Sequence, residues 1–169
     1  VDGSVSSAEV TSKAVAKRSP EEKVGVFGVQ NGELTVLEYS DLDPGICEAT
    51  DGDGKLRFRA GNMAVHAFGL DFLDRLTNGT GLPFHRAIKK VPFFDESTGT
   101  MQQPAFPNAV KYETFIFDAL PLASRPLVVE SDRAEEFAPI KNAEGSDSVQ
   151  TSQMAQSVRA AKWLSLIHI

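Results

Sequence analysis

The sequence predicts an α/β unit, a mixed β-sheet with helices on its flanks. Apolar, β-branched stretches alternate along the chain with stretches of helical spacing, the pattern of sheet and helix drawn from one polypeptide. A β-hairpin signal, VGVFGVQNGELTVLEY, occupies 24–39. A composition of 41% hydrophobic and 24% charged residues over 169 positions supplies an ordinary core for one such unit.

Residues 6–18 have the residue types and spacing of a short surface helix, with Ser6 or Ser7 as its cap and the Ser19-Pro20 turn beyond its end. The hairpin follows. Its first strand is apolar and β-branched, Asn31-Gly32 tolerates positive φ at the turn, and its second strand alternates as far as Glu38-Tyr39. Residues 41–54 read as a Pro/Gly/Asp loop, 56–59 as a short strand and 62–78 as a helix ending in Asn-Gly. Within that loop Asp51-Gly-Asp-Gly lacks the later ligands of a calcium loop and reads as a plain turn. A basic cluster at 86–90 precedes a strand at 91–94, and a Pro-rich loop runs to Pro107. Phe115, Ile116, Leu120 and Ala123 then predict a helix over 111–123, with Lys111 in its first turn. A helix N-terminus gathers unpaired N–H groups, so a lysine there adds to an anion site while mildly opposing the helix dipole. A buried strand at 127–129 and a last helix at 149–162 complete the order.

Charge and composition exclude several classes. A net charge of −6 argues against a nucleic-acid surface, which is usually basic, so an anionic substrate needs local lysines. No window is apolar enough for a membrane span, and the first residues are too polar for a secretory leader, which makes the Asn-Gly-Thr at Asn78 a chance sequon. One cysteine, Cys47, forms no intrachain disulfide, and a reducing, cytoplasmic setting fits. His66, His85 and His168 are scattered without a carboxylate or cysteine at ligand spacing, and Asp132, Glu135 and Glu136 read as a solvated turn.

The segment VVESDRAEEFAPIKN at 128–142 presents Lys141 from a loop stiffened by Pro139. An ordered lysine of this kind meets an anion. The same residues also fit a blander arrangement, with Phe137 and Ile140 docked on the core and Lys141 solvated.

Five blocks, in order and evenly collinear over roughly residues 1–148, resemble the eukaryotic UDP-N-acetylglucosamine (UDP-N-acetylhexosamine) pyrophosphorylases. They are VGVFGVQNGELTVLEYSDL (24–42), LRFRAGNMAVHAF (56–68), LPFHRAIKKVPFFD (82–95), PNAVKYETFIFDAL (107–120) and VVESDRAEEFAPIKNAEGSD (128–147). The resemblance implies a doubly wound nucleotidyltransferase fold, Rossmann-like and glycosyltransferase-A-like, that joins UTP to N-acetylglucosamine 1-phosphate and releases pyrophosphate. On this reading residues 1–148 are the C-terminal, sugar-binding part of the catalytic domain, 149–162 is a helix of the same domain, and WLSLIHI at 163–169 is a non-native tail. The family's Gly-rich triphosphate loop and uridine pocket have no counterpart here, so the chain reads as an internal fragment, inactive alone.

Residue by residue, the resemblance places Glu38 and Tyr39 on the pair that contacts the sugar, an ionised carboxylate being an acceptor for ring hydroxyls. Without it Glu38 reads equally as a solvated strand end. Asn62 falls on the asparagine of the Ala-Gly-Asn motif facing the sugar, a role compatible with capping a helix. Arg59 departs from the family, where a small polar residue is expected. Lys111 matches the lysine that reaches the UTP phosphates, the one catalytic assignment, and Lys141 the lysine on the sugar-phosphate side. Mg2+ is implied as cofactor with ligands outside this segment, and no metal residue is assigned here. A broader UDP-sugar pyrophosphorylase, a preference for N-acetylgalactosamine 1-phosphate, and a non-catalytic sugar-phosphate-binding fragment stay open, as does the oligomeric state.

Overall fold

A computed structural model of the protein describes residues 7–39, 42–79 and 81–167. Its centre is a five-stranded sheet in the order β3-β2-β4-β1-β9. The strands are β1 (Val10–Ala16), β2 (Val26–Gln30), β3 (Glu33–Leu37), β4 (Ala60–Phe68) and β9 (Pro126–Glu130). β1 runs antiparallel to β4 and parallel to β9, so the sheet is mixed, as the sequence predicts.

The hairpin forms as read. Asn31 at φ 54° and Gly32 at φ 86° turn the chain through a two-residue loop, and β2 pairs β3 from Gln30↔Glu33 to Val26↔Leu37. The expected helix at 6–18 is instead β1, with Ser6 outside the described residues. Val10, Ser12 and Ala14 are buried on a two-residue period. Their partners on either side come from distant parts of the chain, and this tertiary pairing overrides the helical propensity of Ala and Lys.

The same override divides 62–78. Its first half is β4, and only α2 (Leu70–Thr77) is helical. Opposite Lys13 the β4 register slips, since Ser12 pairs His66 while Ala14 pairs Asn62, and Ala64 takes φ 58°. The loop after β3 contains a short helix, α1 (Pro44–Glu48), capped by Asp43, whose Oδ1 accepts the Gly45 N–H at 2.8 Å. Residues 56–59 make only the single bridge Thr50↔Leu56 instead of a strand. The Asp51-Gly-Asp-Gly segment is a turn closed by Gly54 N–H to Asp51 O at 2.9 Å.

Further along, the basic cluster is itself a strand. β5 (His85–Lys89) pairs β8 (Ala109–Glu113), and β6 (Phe93–Asp95) pairs β7 (Thr100–Gln102) inside the expected Pro-rich loop. The helix expected over 111–123 is β8 followed by a 3-10 helix, Ile116–Leu122, with Pro121 inside it. Proline has no N–H for a continuing α-helical ladder. β9 is where the sequence puts it but sits at the sheet edge, half-exposed rather than buried.

The core is formed where Val10, Ala14, Phe27 and Val36 of the sheet meet Phe72 of α2 and Ala119 and Leu120 of the 3-10 helix. Glu9 lashes these layers together, accepting from the Ser124 N–H at 2.7 Å and pairing with Arg75 at 3.0 Å. After β9, α3 (Arg133–Glu136) and α4 (Val149–Ile167) close the chain, with α4 continuing past Lys162 into the apolar tail. Asp132 caps α3, Glu136 pairs with Lys13 and Glu135 with Lys162, so the acidic run is an anchored helix rather than a solvated turn.

Candidate functional site

Residues 23–25, leading into β2, touch three of the residues singled out from the sequence, Glu38 and Lys141 through their side chains and Asn62 through its backbone. The Val26↔Leu37 register places Gly25 across from Glu38, and a Cβ built on Gly25 would lie 2.9 Å from Glu38 Oε1. From the neighbouring strand, the Asn62 N–H donates to the Gly25 carbonyl at 2.7 Å. Two residues earlier, the Lys141 ammonium donates to the Lys23 carbonyl.

Each of these positions has a local cause. Glu38 directly follows the end of β3, one residue past the Val26↔Leu37 pair. Asn62 is a strand residue, not the expected helix cap. Its Oδ1 accepts the Ala64 N–H at 2.9 Å and so supports the left-handed backbone of the β4 irregularity. Tyr39 follows Glu38 in a turn and is half-exposed.

Lys141 is held at its backbone as well as its tip. Its N–H and that of Asn142 both donate to the Asp147 carbonyl, at 2.6 and 3.1 Å, and Asn142 Nδ2 donates to Ser146 O at 2.7 Å. The loop is therefore ordered around Lys141, and Ile140 is exposed, contrary to the alternative in which Ile140 docks on the core. Beside it lies an open cavity of about 430 Å3 lined by Arg18, Glu22, Lys23, Lys141, Asn142 and Asp147. Glu22 on its wall is ion-paired with Arg133, both side chains being largely buried. Burial opposes the Glu22 charge, but the Arg18 N–H and the Arg133 guanidinium outweigh it and hold the carboxyl below the ordinary glutamate range.

Lys111 is not at a helix N-terminus. It stands in β8, in the two-stranded sheet with β5, and its Nζ pairs with Glu113 Oε1 at 2.6 Å. That lysine in turn keeps the Glu113 carboxyl below its usual range. Among the described residues Lys111 bonds Glu113 and makes no hydrogen bond or ion pair with Asn62 or Lys141.

Arg59 is engaged with Asp51. Its guanidinium bonds Asp51 Oδ2 at 3.1 Å, at the mouth of a second open cavity of about 380 Å3 floored by Phe27 and Val128, while its carbonyl accepts the Lys17 and Gly61 N–H groups. Two histidines have partners that spacing did not reveal. His85 Nε2 meets Asp118 at 2.7 Å, and His66 Nδ1 meets the buried Ser12 hydroxyl at 2.8 Å. Burial lowers the His66 pKa, which favours the neutral ring. His168 lies outside the described residues. Among the described residues no group of three or more His, Cys, Asp or Glu side chains is arranged to hold a metal. Also among them, no helix is long and apolar enough to cross a membrane.

The class these features define is an α/β unit with a mixed sheet, of the kind found in nucleotide-sugar pyrophosphorylases. No protein-family model matches the chain. Along nearly its whole length, however, it is similar to the UDP-N-acetylglucosamine pyrophosphorylases. It is 39% identical over 164 residues to the UDP-N-acetylglucosamine pyrophosphorylase of Saccharomyces cerevisiae, a match covering 92% of this chain and 34% of that protein. The human UDP-N-acetylhexosamine pyrophosphorylase-like protein 1 is 38% identical over 160 residues, covering 92% of this chain and 31% of that one. Among solved structures, the Trypanosoma brucei uridine diphosphate N-acetylglucosamine pyrophosphorylase superposes with a TM-score of 0.76 at 26% identity, over 96% of this chain and 32% of that one. The chain thus spans about a third of the length of the relatives it matches.

Proposed function

We propose that this chain is the sugar-binding part of a nucleotidyltransferase that joins UTP and N-acetylglucosamine 1-phosphate into UDP-N-acetylglucosamine, with pyrophosphate as the second product. The observation that carries the reading is that the Glu38 carboxylate and the Asn62 backbone N–H both lie against Gly25, with the Lys141 ammonium anchored two residues upstream. In this reading residues 1–148 belong to the C-terminal part of a doubly wound, Rossmann-like catalytic domain, 149–162 is its helix and 163–169 a non-native tail. A cytoplasmic setting suits an enzyme of sugar-nucleotide synthesis.

The chemistry needs few groups from this part. A phosphate oxygen of the sugar phosphate, already ionised, attacks the α-phosphorus of UTP. The new P–O bond forms as the bond to pyrophosphate breaks, and no general base is required. What the protein must supply is alignment of the two anions and positive charge near the developing charge on the nonbridging oxygens. Glu38 accepts from ring hydroxyls, Tyr39 contacts the sugar beside it, Asn62 donates and accepts toward the sugar, and Lys141 faces the sugar phosphate. Lys111 is assigned to the UTP phosphates, which requires its ammonium to exchange Glu113 for a phosphate. We assign the ligands of Mg2+ to parts of the protein outside this segment and derive no step through it; among the described residues no group of three or more His, Cys, Asp or Glu side chains is arranged to hold a metal.

The test is the relative kcat/KM of the longer protein on N-acetylglucosamine, N-acetylgalactosamine and glucose 1-phosphates. A pocket shaped to an acetamido group leaves polar groups unpaired against a bare hydroxyl, so glucose 1-phosphate should be the poorest substrate by orders of magnitude. The gluco and galacto epimers should differ less, since one hydroxyl changes direction and a water can bridge. Equal efficiency on glucose 1-phosphate overturns the assignment in favour of a broad UDP-sugar pyrophosphorylase. The Lys111–Glu113 pair favours a second reading, a sugar-phosphate-binding unit without catalysis of its own. Binding of the sugar phosphate without turnover in the longer protein would select it.

A further inference from the structure

Gly25 is buried beside two of the proposed sugar contacts, with the Glu38 carboxylate against its Cα and the backbone N–H of Asn62 on its carbonyl. Its φ is not positive, so the backbone itself would accept an alanine. The obstacle is the neighbours. A Cβ at this position would stand 2.9 Å from Glu38 Oε1 and 3.1 Å from Val36 Cγ1. Val36 is β-branched and buried in the core, so it has little freedom to yield. Glu38 Oε1 is the far end of a side chain with several rotatable bonds, so relief falls on the carboxylate. On its other side Gly25 offers its carbonyl to the Asn62 N–H at 2.7 Å, a bond that any residue at this position could keep.

We infer that Gly25 is a positioning residue for sugar recognition, setting the place of the Glu38 carboxylate relative to Asn62. This rests on the reading of Glu38 and Asn62 as sugar contacts. Alanine at position 25 displaces the carboxylate while leaving the Asn62 backbone bond in place, so among the proposed sugar contacts it acts through Glu38, with a smaller crowding of Val36. Neither local sequence nor composition marks Gly25, because its neighbours arrive from β3 and β4.

The experiment is a double-mutant cycle in the 169-residue chain with Gly25→Ala, Glu38→Ala and the two combined, probed with N-acetylglucosamine 1-phosphate. Carbon-13 NMR of the Glu38 carboxyl and hydrogen exchange of the Asn62 amide are followed in parallel. Gly25→Ala should move the Glu38 carboxyl resonance, leave Asn62 protected, and weaken binding about tenfold, as expected for one misplaced charge-assisted hydrogen bond. In the Glu38→Ala background the same change should have almost no further effect. An unmoved Glu38 resonance, or equal weakening in both backgrounds, overturns the inference while leaving the sugar reading intact. Absence of binding by the wild-type chain sinks the sugar reading and this inference with it. Should Gly25→Ala lose its fold, the double variant, freed of the crowding carboxylate, should regain it, and a double variant equally unfolded counts against the inference.

Discussion

Lys111 and Lys141 carry the same charge into different surroundings. Lys141 is fixed by its backbone and by the Lys23 carbonyl, whereas Lys111 lies on an open strand against Glu113. In the longer protein, Lys111→Ala should lower the rate of the chemical step far more than Lys141→Arg, because losing a charge contact to a phosphate costs ~2–4 kcal/mol while arginine retains the charge. Arginine's fork still fits a lysine's place imperfectly. Steady-state kinetics of both variants would decide, and a Lys111→Ala enzyme with unaltered turnover and UTP affinity would remove the phosphate role. Glu22 yields a pH prediction. Its carboxyl is held below the ordinary glutamate value of 4.5, so its contribution to stability is present above that value and is lost as pH falls through the lower folded-state value. Arg133→Met should therefore reduce stability at neutral pH and flatten the acid limb below pH 4.5, read as urea midpoints against pH. An acid limb as steep as that of the wild type would contradict this.

At the level of elements, the legible features were those whose causes are local. Asn31-Gly32 needs only its own two residues to turn, and the hairpin formed in the register that turn dictates. Gly32→Val should cost about 1–2 kcal/mol, since a β-branched residue is forced into the left-handed region that glycine occupies freely. The urea midpoint should fall without a change in slope. Unchanged stability would mean that the loop relaxes to another turn type. Elements whose causes lie elsewhere in the chain differ from what local pattern predicts. Residues 10–16 contain helix-favouring Ala and Lys, yet they form the strand between β4 and β9, partners some fifty and over a hundred residues away. Lys111 was placed at a helix start by the apolar spacing of 115–123, but pairing of β8 with β5 claimed the first part of that segment and Pro121 limited the rest to a 3-10 helix.

For the whole molecule, the decisive fact is that the chain matches about a third of each relative. The 169-residue chain by itself should release no pyrophosphate from UTP and N-acetylglucosamine 1-phosphate, because the proposed reaction also needs a uridine pocket and a Gly-rich triphosphate loop that the sequence does not contain, Lys111 being its one proposed contact to UTP. A coupled pyrophosphate assay measures this directly, and clear turnover by the purified chain would refute the fragment reading. Sequence by itself determined the α/β class, the hairpin, β9, the last helix and the likeness to UDP-N-acetylglucosamine pyrophosphorylases, since these depend on local pattern or on motifs kept in order. Tertiary structure alone decided that Asn62 is a strand residue, that Lys111 pairs with Glu113, and that the Glu38 carboxylate and the Asn62 backbone both lie against Gly25. The physical reason is that a strand's partners and register are set by residues distant in the chain, and a one-residue slip would turn each side chain to the opposite face.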